Sequence, residues 1–469
     1  MIHAVPENVH PLPDGPHQYG SMSEVAANMN VIVTMAYGRA GSILIQSLFD
    51  GHPNVLTLPH LGPMYSLLPA SIRDLDPQID WFINRFPTIF DTSRDTNEFA
   101  AAKFGPSGDV GFRVSSTKFK EHLMGLAIDY CTIDPNRQLS RKEFFVLVHV
   151  AYALCVRSFN ITDIKYLFYH VHSYVHAEWQ HMLEDFPQLY FIGMTRDPRQ
   201  DWTSWKKIHA LRMQRDIGDV PPICLFLSEY HYSKSSYELS NLVEKLKPDH
   251  IRIIDLEDLH VLNKNAMTHL CSWLNIEFDE CLMQSTINGL EWHGNAANGK
   301  RAPAFNPNMI QDAWRSELAD HDRQLICSLV PGSLRYLGYD KENPADGIGS
   351  ENIIGNLKYK SNSQLFIHCT LYLSGNPIER FRNSWRKKRV SKIRAIRSLA
   401  GDVYRGARLF LELRGDGVDR KTAEIVTQQK QLLQRHLPLS LFVASHINQN
   451  PSSIPIGTDN KASCLALDR

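Results

Sequence analysis

The chain has 469 residues, 43% of them hydrophobic and 21% charged, with 50 basic side chains balanced by 50 acidic ones. That profile excludes an intrinsically disordered chain, and zero formal charge removes any global field that would draw the protein to nucleic acid or to an anionic surface. Eight cysteines, at 131, 155, 224, 271, 281, 327, 369 and 464, form no CxxC pair and no cluster of zinc spacing, which predicts free thiols in a reducing compartment.

In chain order, residues 1–29 form a Pro-, His- and Gly-rich tail without the basic start and apolar run of a secretory signal, so the expected location is cytoplasmic. "VIVTMAY" (31–37) is an apolar run ended by a glycine turn, the pattern of a buried parallel strand, and Ser42 to Phe49 follows as a helix. Residues 62–160 read as mainly helical, a substrate-side insertion. Within it "FFVLVHVAYALCV" (144–156) is too short to span a membrane and reads as a buried helix.

"IKYLFYHVHS" (164–173) predicts a second strand, after which Ser173 would cap a helix running to Leu183. "QLYFIGMTRDP" (188–198) predicts a third strand and "HIRIIDLEDL" (250–259) a fourth, followed by the helix "AMTHLCSWLNI". Strands alternating with helices give the fold class: α/β, a P-loop-like doubly wound parallel sheet flanked by helices. Past residue 340 the composition changes. Residues 341–446 read as a helical extension, in which 380–397 carry nine basic side chains and no acidic one, within a basic amphipathic helix over 376–414; residues 447–469 read as a disordered tail. The basic segment reads first as a solvated helix face packed on the main domain, with weak peripheral contact to an anionic membrane as the alternative.

Two strand ends carry chemistry. "YGRAGS" (37–42) is a glycine turn entering a helix at the carboxyl edge of the sheet, where ligands of such folds sit. A helix start presents unpaired N–H groups to an anion, and Arg39 would add a fixed forked charge, with Gly38 and Gly41 allowing close approach and Ser42 supplying a hydroxyl. The second, "MTRDPRQDWTS", places Arg196 at a strand end and Ser204 eight residues on. Two separated anion sites on one sheet suit a nucleotide phosphorylated at two positions.

This pair of motifs resembles the PAPS-dependent sulfotransferase family, PAPS being 3′-phosphoadenosine 5′-phosphosulfate. The likeness is to its arginine-loop branch (G-R-[SA]-G-S), related to the tyrosylprotein and carbohydrate sulfotransferases. "GHPNV" (51–55), "IIDLEDL", "STINGLEWHGNAANGKRAPAF" (285–305) and "LRYLGYD" add to it, over about residues 30–340. The resemblance implies that Gly38, Arg39, Ala40, Gly41, Ser42 and Ile43 hold the 5′-phosphosulfate. It further implies that Arg196 and Ser204, with Lys300 and Arg301 of the late loop, hold the 3′-phosphate. Ala40 and Ile43 depart from the family pattern by removing two hydroxyls, and Leu256 stands where an aromatic residue is common. No metal is called for.

In the arginine-loop branch a glutamate lies eight residues beyond the histidine of the HP pair. Counting from His52 reaches His60, the favoured general base. His170 and His172, at the end of the second predicted strand and on one face of it, are the rivals; for each of the three the plain alternative is a structural histidine. His52 reads as structural. The implied reaction is transfer of a sulfuryl group to a hydroxyl, or less readily an amine, of a small metabolite, lipid or saccharide. Two other functions remain open: a binding module of sulfotransferase fold without catalysis, favoured by Ala40 and Ile43, and a nucleotide kinase or NTPase using Asp255 for magnesium, disfavoured by the absence of a Walker lysine.

Overall fold

The fold is that of a computed structural model. It describes residues 2–4, 22–36, 39–60, 62–94, 104–108, 110–133, 138–171, 176–213, 246, 248–294, 304–306, 313–319 and 323. The predicted C-terminal extension, its basic helix and the final tail lie outside the described residues.

The elements that build the site are, in order, β1 (Asn30–Ala36), α1 (Ser42–Phe49), β2 (Val55–Thr57), α2 (Leu75–Arg85), α3 (Ser116–Ile133), α4 (Arg141–Val156), β3 (Tyr166–His170), α5 (His176–Asp185), β4 (Tyr190–Thr195), α6 (Pro198–Met213), β5 (Ile251–Asp255) and α7 (Leu256–Leu274). The five strands form one parallel sheet in the order β2-β3-β1-β4-β5. The chain leaves β1 for the β2 side and later returns to β4 on the other, so the topological switch lies at the carboxyl end of β1.

Both faces of the sheet are covered, which is why its strands read as near-continuous apolar runs. Val31, Val33, Leu167, Tyr169 and Phe191 pack under α3, α4 and α5, through Phe119, Leu123, Phe145, Val148, Trp179 and Met182. On the opposite face Ile32, Phe168, Ile192 and Ile254 pack on Ile45, Leu48 and Phe49 of α1 and on Leu259, Met267 and Leu270 of α7. The helix α4 is buried, as its apolar sequence predicts. Its start is a capping box: the Ser140 hydroxyl accepts the Glu143 N–H at 3.2 Å, and the Glu143 carboxylate accepts the Ser140 N–H at 2.7 Å.

The structure corrects the sequence reading in three places. Within the expected N-terminal tail, Met22–Asn28 is a helix whose Met22 and Ala26 are buried in the core. A fifth strand, β2, lies at the sheet edge; at three residues it is too short to show a period. The last strand ends at Asp255 rather than 259, and the helix begins at Leu256 rather than Ala266. The Asp255 carboxylate accepts the N–H groups of Glu257 at 2.8 Å and Asp258 at 3.3 Å, converting the apolar run from strand to helix at that residue. The α7 helix is kinked at Asn263, whose φ is 21°. No described helix is long and apolar enough to cross a membrane.

Candidate functional site

The turn after β1 delivers the chain to α1. Tyr37 and Gly38 lie outside the described residues. Gly41 is the N-cap of α1 with φ 87°, a conformation costly for any residue with a Cβ. A Cβ there would also come within 2.6 Å of a Leu256 methyl carbon. Leu256 thus forms the apolar floor beneath the turn, in the place where an aromatic residue was the expectation. Because Gly41 has no side chain to cap the helix, the first-turn N–H groups of α1 depend on partners outside the helix, the usual basis of an anion cradle.

Ser42 is buried at the helix start. The two departures from the family pattern have a packing explanation. Ala40 is fully buried in the cluster under α1, and Ile43 packs against the cluster on the other face. Hydroxyls at these positions would point into apolar surroundings, so what 40 and 43 can offer a ligand is backbone.

Arg39 is half-buried. Its backbone N–H donates to the Asp201 carboxylate of α6, and its guanidinium carbon lies 6.0 Å from the centre of the Trp205 ring. The turn after β1 is therefore fastened to the helix after β4. Asp201 and Trp205 were not singled out in the sequence. The signal available was their position within the R-x₇-S segment, one helical turn apart and flanking Ser204.

At the end of β4, Arg196 is 7% exposed and donates from Nη1 to Ser204 Oγ at 3.3 Å. The eight-residue spacing works because α6 starts at Pro198, so that Ser204 returns toward the strand end. Burial pulls Arg196 below its ordinary pKa, opposed by the carboxylates of Glu257, Asp201, Asp255 and Asp197; an arginine remains charged under these conditions. Asp197 closes on Arg199, with Nη2 to Oδ2 at 2.7 Å, Asp201 takes the Arg39 N–H, and Asp255 caps α7. Arg196 Nε is buried without a hydrogen-bond partner. A forked cation beside a hydroxyl is a donor set of the kind that holds a phosphate oxygen, although Nε itself is sealed here. Burial and the neighbouring Glu257 and Asp258 push the Asp255 carboxyl well up.

The histidines gather at the other end of the carboxyl edge. His60 follows β2, half-buried, with its ring edge-on to Phe86 at 5.0 Å between centroids. Its Nε2 is sealed without a partner. Burial lowers its pKa to about 4, reinforced by His149 and Arg85 and opposed by a bond to the Gly62 backbone. His149, on α4, is fully buried, bonded through Nδ1 to the Phe145 carbonyl at 2.8 Å, and also lowered to about 4 by burial. His170 ends β3 and is 1% exposed; its carbonyl accepts the Gly62 N–H at 3.4 Å. His52 is fully buried in a structural role, accepting the Asn54 N–H at 3.1 Å on Nδ1 and donating from Nε2 to the Glu277 carbonyl at 3.0 Å.

The structure thus brings together Arg39, Gly41, Ser42, Arg196 and Ser204 around the junction of β1, β4 and α6, and sets His60 and His170 at the β2–β3 ends. His172, Lys300 and Arg301 lie outside the described residues.

No family model matches the sequence, and no curated protein matches it. Solved structures do. A sulfotransferase domain from the curacin biosynthetic pathway matches with 16% identity and a TM-score of 0.37, over 64% of this chain and 96% of that one. A sulfotransferase domain from the Synechococcus PCC 7002 olefin synthase matches with 15% identity and a TM-score of 0.37, over 62% and 90%. A sulfotransferase from Mycobacterium avium matches with 13% identity and a TM-score of 0.29, over 55% and 68%.

Proposed function

We propose that this chain is a sulfotransferase of the arginine-loop type that takes its sulfuryl group from PAPS and passes it to a hydroxyl of a small metabolite, lipid or saccharide. One observation carries the reading. Arg196 and Ser204 converge through a hydrogen bond, and the same helix holds the Arg39 turn through Asp201, so two arginine-bearing strand ends meet on one turn of α6.

In this reading Arg196 and Ser204 grip the 3′-phosphate, while the α1 N-terminus, Ser42 and Arg39 hold the 5′-phosphosulfate and stabilise the phosphate that leaves. PAPS supplies an activated sulfuryl group with a good leaving phosphate. As the bond from sulfur to that phosphate breaks and a new one forms to the acceptor oxygen, the acceptor proton goes to His60, whose Nε2, sealed in this structure, would have to open toward the acceptor. Burial keeps His60 neutral at pH 7 but, with its pKa lowered to about 4, also makes it a weak base; the anionic group being transferred would raise that pKa as the proton arrives. The helical insertion would shape the acceptor pocket, and the C-terminal extension would add to it. The site is expected to work in the cytoplasm and without metal. Asp255, the residue a magnesium-dependent NTPase would need, serves as a helix cap.

A second reading, a binding module without catalysis, draws on the sealed His60 Nε2. Transfer of labelled sulfate from PAPS to a metabolite extract of the native host separates the two. A labelled product supports catalysis; binding of adenosine 3′,5′-bisphosphate with no labelled product supports the module.

A further inference from the structure

Gln46 is a buried amide, 4% exposed, on a helix that buries the apolar Ile45, Leu48 and Phe49 and the hydroxyls of Ser42 and Ser47. It lies four residues beyond Ser42, on the same side of α1 and one turn from the anion cradle. Its Nε2 donates to the Leu58 carbonyl at 2.7 Å. That same oxygen accepts the backbone N–H of His60, also at 2.7 Å. A single carbonyl therefore joins the helix of the cradle to the residue that carries the candidate base. On the far side of the turn, the Gly62 N–H is fixed to the His170 carbonyl of β3 at 3.4 Å.

The Gln46 Oε1 is sealed and has no partner. An amide kept there with half of its hydrogen-bonding capacity unmet costs stability that an apolar side chain would not. The geometry points to a use for it. We propose that Gln46 is a positioning residue for the transfer: it sets His60 at a fixed distance from the Ser42 end of α1, so that the base and the anion cradle move as one body. The proposal rests on the sulfotransferase reading and extends it to a residue that touches neither ligand nor reacting atom.

The test is a double-mutant cycle on labelled-sulfate transfer, with Gln46→Met, which keeps the length and removes the donor, made in the wild-type and His60→Ala backgrounds. In the wild-type background kcat falls by about 10-fold, the scale of one lost hydrogen bond, while KM for PAPS is unchanged. In the His60→Ala background Gln46→Met costs nothing further. Equal losses in both backgrounds, or a loss confined to KM for PAPS, would overturn the inference while leaving the sulfotransferase reading intact. A wild-type chain that transfers no sulfate overturns both together. If the methionine variant does not fold, Gln46→Glu, which replaces the donor by an oxygen at the same length, is read through the same cycle.

Discussion

On the β4–β5 side of the carboxyl edge, buried Arg196 sits among Asp197, Asp201, Asp255 and Glu257; on the β2–β3 side, His60 and His149 sit among Phe86 and Phe145. Both sides are buried, and they meet the cost of burial in opposite ways. The first keeps the Arg196 charge by setting carboxylates around it, at the expense of Asp255, whose carboxyl is pushed up by burial and by Glu257 and Asp258. The second gives its charges up: burial lowers both histidines to about 4, so neither carries a proton at neutral pH. A fixed cation suits the permanent grip of an anionic ligand, and a neutral lone pair suits a proton that must be taken and returned. Under the proposed function the contrast would divide the site into a binding half and a chemical half, and that division can be broken experimentally.

The largest effect is expected on the neutral side. His60→Ala should lower turnover by about 10² to 10⁴, the span for loss of a general base, with adenosine 3′,5′-bisphosphate affinity retained. Steady-state kinetics with unchanged turnover would move the role to His170 or His172. On the charged side, Arg196→Ala should weaken adenosine 3′,5′-bisphosphate by about 10- to 100-fold, the worth of hydrogen bonds to a charged group, and leave adenosine 5′-phosphate nearly unaffected. Equal losses for both nucleotides in calorimetry would detach Arg196 from the 3′-position.

Between the halves, Gly41→Ala should destabilise the fold by about 1 to 3 kcal/mol through its positive φ, with a further contribution from the Leu256 contact. Adding Leu256→Ala should recover the contact part and not the φ part; a denaturant-unfolding cycle that is strictly additive would show that Leu256 does not bear on the turn. A comparable effect is one of pH. His60, His149 and His260 are all held near 4 by burial, against about 6.5 in the unfolded chain. Between those values the unfolded state binds more protons, so their contribution, complete above about pH 6.5, is lost as the pH falls toward 4. Tm should therefore drop between pH 7 and pH 5, by about 2 kcal/mol of stability for His149 alone at pH 5, and His149→Phe should flatten that slope. A slope unchanged in the variant would place the titration elsewhere.

Much of the binding half could be read before any fold was known. Arg196 and Ser204 are a local pair on one strand–helix junction, and the glycines of the first turn mark it as a tight approach, with Gly41 in the left-handed region. The four longer strands were legible because a sheet covered on both faces demands unbroken apolar runs. The edge strand Val55–Thr57 was not, since three residues show no period. The end of β5 was misplaced because Leu256 and Leu259 prolong the apolar run, and only the Asp255 cap marks the change to helix. What no local pattern could supply were the contacts across the fold: Asp201 on the Arg39 amide, and Gln46 sharing a carbonyl with His60. These join segments that only the sheet order brings together.

The central claim, that two anion cradles grip one adenine nucleotide, is tested most directly by calorimetry of the wild-type protein without metal, comparing adenosine 3′,5′-bisphosphate with adenosine 5′-phosphate and adenosine 3′-phosphate. The account predicts that the bisphosphate binds about 10-fold or more tighter than either monophosphate, because each phosphate meets its own arginine. Three equal affinities would contradict it.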